Sequence, residues 1–111
     1  MRILFADPDR ELIAAYEKLF RLNGDETVPA YDGRQATELL KKERFDAAVV
    51  REELPRCESS LILTVLSALK TPVILLRGND NDTASEFAVL RFPFLPEELE
   101  GKLREAVTGH E

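Results

Sequence analysis

The stretch Phe45–Pro55, FDAAVVREELP, decides the fold. Its first six residues are almost uniformly apolar instead of alternating, the signature of a strand covered on both faces. The charged triplet Arg51, Glu52 and Glu53 and then Pro55 end it abruptly. A buried strand with a polar carboxyl end belongs to open α/β sheets, which put their chemistry at that end.

Working outward, RILFA (Arg2 to Ala6) and TPVILL (Thr71 to Leu76) are runs of the same kind. ETVPAY is a weaker strand whose Pro29 predicts a sheet edge, and AVLRF (Ala88 to Phe92) is a fifth. Between them lie helical spacings. Asp7 is expected to cap a first helix carrying Pro8 in its opening turn, with Leu12, Tyr16, Leu19 and Phe20 inward and Asn23-Gly24 as the stop. Asp9 is expected to point into that helix's first turn. Asp32 caps a second helix, with Ala36, Leu39 and Leu40 inward. A third begins near Ser59 or Ser60 with Leu61, Val65 and Leu69 inward. Pro96 opens a last one, with Glu97 and Glu98 at its positive end and Leu99, Leu103, Ala106 and Val107 inward. This alternation predicts an α/β fold: a parallel sheet between helical layers, joined by right-handed crossovers.

Composition narrows function. One domain over residues 1–111 is expected, and 44% apolar with 32% charged residues are globular values. A net charge of −6 argues against a nucleic-acid partner. The one basic run, Lys41 to Arg44, is read as a solvated helix end. LILTVLSAL (Leu61 to Leu69) is too short to span a bilayer, so no membrane role is expected. No signal peptide is evident, and a single cysteine, Cys57, suits a reducing cytoplasm.

With the elements in order, the sequence resembles the response-regulator receiver domain, the flavodoxin-like (CheY-like) module of two-component signalling and phosphorelays. ILFADPDRELIAAYEKLF resembles the family's first strand and acidic turn, FDAAVVREELP its third strand and loop, TPVILLRG its fourth strand, and LRFPF its Lys-Pro-Phe segment. The resemblance implies a three-layer α/β/α sandwich, with a five-stranded sheet in the order 2-1-3-4-5. It also implies transfer of a phosphoryl group from a kinase histidine to an aspartate, with Mg²⁺ held by neighbouring acids, and a cis peptide at Phe92-Pro93.

The family's site positions fall on Asp7, Pro8, Arg51, Arg77 and Phe92. Only Asp7 keeps its acid. Pro8 replaces the second acid, Arg51 the phosphoacceptor, Arg77 the switch hydroxyl and Phe92 the lysine. A guanidinium stays protonated and cannot attack phosphorus, so the expectation is a pseudo-receiver: no cofactor, Mg²⁺ binding lost, no catalytic residue and no enzyme activity. In the 2-1-3-4-5 order Asp7 and Arg51 are neighbours; they form an ion pair or are both solvated. Arg77 joins Arg51 as an anion site for a small ligand, or bonds with Asp9, Glu52 or Asp80. Glu52 and Glu53 point apart on an extended segment and are read as a solvated loop. A receiver phosphorylated at a non-standard acid, Glu52 or Asp46, is the rival reading.

The chain between Arg77 and Phe92 is about two helical turns short of the family, so the fourth helix is expected to be shortened or missing. Phe87, Val89, Phe92 and Phe94 are then candidates for a partner surface or for the core. The expected work is phosphorylation-independent protein–protein recognition, with other signalling proteins as partners and a homodimer compatible with it.

Overall fold

The computed structural model describes residues 1–54, 59–78 and 87–109. In chain order the elements are β1 (Arg2–Ala6), α1 (Arg10–Leu22), β2 (Glu26–Ala30), α2 (Gly33–Lys42), β3 (Ala47–Arg51), α3 (Ser59–Ala68), β4 (Val73–Arg77), β5 (Ala88–Arg91) and α4 (Pro96–Thr108). All strand pairs are parallel, in the order β2-β1-β3-β4-β5. Pro29 lies in the edge strand β2, where a missing N–H leaves no central ladder bond unmade.

Because strand side chains alternate, the sheet feeds two cores. Ile3, Phe5, Val49, Ile74 and Leu76 meet Ile13, Tyr16 and Phe20 of α1 and Leu99 and Leu103 of α4. Leu4, Ala6, Ala48, Val50 and Leu75 meet Ala36 and Leu40 of α2 and Ile62 and Leu66 of α3. Burial on both faces is why β1, β3 and β4 read as unbroken apolar runs. Each fully buried Phe or Leu contributes about 1.5–3 kcal/mol.

Two sequence expectations are corrected. The cap of α1 is Asp9, not Asp7: Asp9 Oδ1 accepts from the amides of Glu11 and Leu12, each at 3.1 Å. Both aspartates of ADPD are competent caps, and Asp7 is drawn instead into contacts across the sheet. In α3 the inward pair is Ile62 and Leu66, both fully buried, while Leu61 and Leu69 are 53% and 56% exposed. The segment SSLILTVLSA is apolar nearly all round, so two stripes at i, i+4 compete and packing against the sheet chooses between them. This helix ends on Lys70, whose φ of 58° takes the left-handed closing position usually held by glycine. The Phe92-Pro93 peptide is cis. Four helices lie among the described residues. The expected loss of a helix between β4 and β5 concerns residues 79–86, outside them, as are Cys57, Asp80 and His110.

Candidate functional site

Register builds the site. Ala6 pairs with Val50 across β1 and β3, so the next residues, Asp7 and Arg51, stand side by side at the carboxyl ends of these strands. Asp7 is fully buried. Its amide donates to the Ala30 carbonyl (2.9 Å), its Oδ1 accepts from the Asp9 amide (2.9 Å), and its Oδ2 accepts from Arg51 Nε (3.0 Å). The Arg51 side chain is 24% exposed, and its guanidinium lies over the Phe92 ring, 4.2 Å from the centroid. Packing and charge thus hold the guanidinium against the carboxylate.

One strand over, Arg51 pairs with Leu76, and the Glu52 amide donates to the Leu76 carbonyl at 2.9 Å. That brings Glu52 beside Arg77, the carboxyl end of β4. Arg77 is buried and binds Glu52 as a fork: Nε to both carboxylate oxygens at 3.1 Å and Nη2 to Oε2 at 2.7 Å. Of the partners weighed for Arg77 in the sequence, Glu52 is therefore engaged, and the fork is spent on a carboxylate of the same chain. The Phe92 amide donates to the Arg77 carbonyl at 3.0 Å, which fixes Phe92 beneath Arg51. Gly78 lies beside both: a Cβ there would stand 3.2 Å from Arg51 Nη1 and 3.9 Å from Phe92 Cδ2.

The arrangement is a poor fit to Mg²⁺. One oxygen of Asp7 is taken by a cation and the other by an amide, and the Pro8 side chain brings no ligand. Glu52, the next carboxylate, is held by Arg77. Asp46 lies at the other end of β3, where its carboxylate accepts from the Arg2 amide.

The four apolar candidates do not form one patch. Phe92 and Phe94 pack against the α1/α4 core, their rings 4.7 Å apart, with Phe94 5.8 Å from Tyr16. Phe87 and Val89 pack against the α2/α3 core. All four are half-buried, and the period-2 alternation of β5 divides them between sheet faces. A site the sequence did not reveal is the buried Asp25, which accepts from the Met1 ammonium (2.7 Å) and Arg104 Nη2 (2.9 Å). Only the fold joins β2, β1 and α4 there.

Fold and register define the class: a flavodoxin-like α/β domain with its candidate site at the strand ends. No family model matches the chain. The receiver domain of Francisella response regulator 1452 superimposes with a TM-score of 0.85 at 25% identity, covering 99% of this chain and 98% of that one. The Escherichia coli transcriptional regulatory protein CpxR is 31% identical over 114 residues, covering 93% of this chain and 47% of CpxR. The Mycobacterium tuberculosis transcriptional regulatory protein PrrA is 32% identical over 72 residues, covering 65% of this chain and 31% of PrrA. The chain is a response-regulator receiver domain, the CheY-like module of two-component signalling.

It spans less than half the length of the two regulators named above. They overturn one expectation, that nucleic acid has no place among the partners, because both are transcriptional regulatory proteins. Net charge was the ground for that expectation, and it describes only the portion this chain shares with them. Among the described residues, no helix is long and apolar enough to cross a membrane.

Proposed function

We propose that this receiver domain is a pseudo-receiver, acting in signal transduction by protein–protein recognition without phosphorylation. The observation that carries the reading is the 3.0 Å bond from Arg51 Nε to Oδ2 of the fully buried Asp7. A permanent cation stands at the position of the family's nucleophile and is bound to the one acid that would face a metal. The site then works as a fixed cross-link between β1 and β3, and the surface is presented in one state. Arg77 bears on the same point: at the position of the switch hydroxyl it is bound to Glu52 instead of awaiting a phosphoryl oxygen.

Intact-mass measurement after incubation with acetyl phosphate and Mg²⁺ tests this. The expected spectrum is unchanged, and partner capture is equal with and without the phosphodonor. A labile phosphoryl adduct would overturn the reading and favour phosphorylation on a non-standard acid. Glu52 is the acid nearest the site, but that rival must first release it from the Arg77 fork. An anion sensor built on Arg51 and Arg77 meets the same obstacle, since Asp7 and Glu52 already take the charge of both arginines.

A further inference from the structure

One flank of α3, next to its buried Ile62/Leu66 stripe, and the end of α2 carry a feature the strand-end site does not use. Leu61, Val65 and Leu69 recur at i, i+4 and i+8, a stripe spanning about 12 Å along one side of the helix. Leu61 and Leu69 are more than half exposed, and Val65 is half-buried between them. At its lower end the stripe runs into a cleft of about 320 Å³ where Leu69 meets Lys41, Lys42 and Arg44. These three cations are exposed, and among the described residues none has an ion pair. The one acid in that rim, Glu43, is bound by Arg2.

We propose that this surface docks an amphipathic helix of a partner protein, its leucine-type face on the α3 stripe and its acidic residues against Lys41, Lys42 and Arg44. Charge selects the occupant. The chain carries −6 overall, so an acidic partner meets general repulsion and local attraction only at this rim. A short helix places its charge within a Debye length, about 8 Å, of the rim and leaves the rest of the molecule alone. An anionic bilayer or a nucleic-acid duplex would face the whole acidic surface, and neither phosphates nor sugars match an apolar stripe. Two turns of helix match the stripe's length, the geometry of helix-in-groove recognition. The proposal takes the partner class from the recognition reading above and rests on it in that respect alone.

The probe is a synthetic helical peptide with leucines at i, i+3, i+4 and i+7 and glutamates elsewhere on its contacting side. It is titrated into the isotope-labelled chain without phosphodonor and followed by amide and methyl shifts. Shifts should centre on Leu61, Val65, Leu69 and the α2 end. Binding should weaken roughly tenfold or more in Leu61→Ser/Leu69→Ser and in Lys41→Glu/Lys42→Glu/Arg44→Glu; these exposed positions leave the core intact, as unchanged circular dichroism would verify. A peptide with lysines for glutamates should bind at least tenfold more weakly. Absence of shifts, shifts elsewhere, equal binding of the lysine peptide, self-association through α3, or preference for phosphatidylglycerol vesicles or duplex DNA overturns the proposal. A phosphoryl adduct with peptide binding intact would sink the pseudo-receiver reading and leave the surface standing; peptide failure without an adduct does the reverse.

Discussion

The Asp7–Arg51 pair makes a quantitative prediction through the cycle Asp7→Ala, Arg51→Ala and the double substitution. Two unit charges about 4 Å apart at an effective dielectric near 20 attract by about 4 kcal/mol. Desolvating a fully buried carboxylate takes back part of this, and the guanidinium, one quarter exposed, keeps some water. A coupling of about 2 kcal/mol remains, above the ~0–1 kcal/mol of a surface pair. Arg51→Ala also loses the stack on Phe92, about 1 kcal/mol. Asp7→Ala loses the acceptor of the Asp9 amide, again about 1 kcal/mol. Each single variant should therefore cost about 3 kcal/mol, and the double variant about 4 rather than about 6. Urea unfolding by circular dichroism reads the cycle, provided the m-values agree. Additivity within about 0.5 kcal/mol would refute the pairing.

Glu52→Gln should destabilise by about 2 kcal/mol in the same assay, because the buried Arg77 fork loses its charged partner; a change under ~0.5 kcal/mol would show the fork adds no stability. Gly78→Val should displace the guanidinium, since even a Cβ would lie 3.2 Å from Arg51 Nη1. The Asp7–Arg51 coupling should then shrink by about half when the cycle is repeated in that background, and an unchanged coupling would refute the packing argument. Tyr16 supplies a pH dependence: burial first, then the charges of Glu97 and Glu98, raises its phenol above the ordinary value of 10.0. The unfolded chain then loses this proton first, so stability is full below about pH 10 and falls as pH rises through the folded value. Urea midpoints from pH 8 to 11 should fall more steeply in the parent than in Tyr16→Phe; equal slopes would show no differential titration.

The fold was legible wherever burial on two faces wrote itself into the chain. RILFA, FDAAVV and TPVILL read as central strands because their inner positions, 3–6, 47–50 and 73–76, are apolar without alternation, and Pro29 marked the edge. The strand order that the family resemblance implies then makes Asp7 and Arg51 neighbours. What stayed hidden was decided by competition between equivalent local choices. Asp7 and Asp9 could each cap α1, and only the Arg51 contact separates their roles. Leu61/Leu69 and Ile62/Leu66 are equally apolar stripes of α3, and only the sheet behind them determines which is covered. Phe87, Val89, Phe92 and Phe94 could be surface or core from the sequence, whereas the pleat sends Phe87 and Val89 to one face of the sheet and Phe92 and Phe94 to the other. Asp25 was invisible because its partners lie 24 and 79 residues away.

On the pseudo-receiver reading proposed above, the two arginines at the strand ends replace receiver chemistry at little cost to the fold. A metal-binding cluster of carboxylates is self-repelling until the ion arrives, whereas Arg51 on Asp7 and Arg77 on Glu52 alternate in sign across β1, β3 and β4. Arg51→Asp tests that exchange directly. It sets a second carboxylate beside the fully buried Asp7, losing the attraction and adding like-charge repulsion, so the loss should exceed the ~3 kcal/mol of Arg51→Ala. If the old cradle survived, millimolar Mg²⁺ would restore the lost stability by mass action. With Pro8 giving no ligand and Glu52 held by Arg77, the expected urea curves with and without Mg²⁺ coincide. A Mg²⁺-dependent recovery above ~1 kcal/mol would mean that Arg51 alone keeps the metal out, and that the site is one substitution from a working receiver instead of remade throughout.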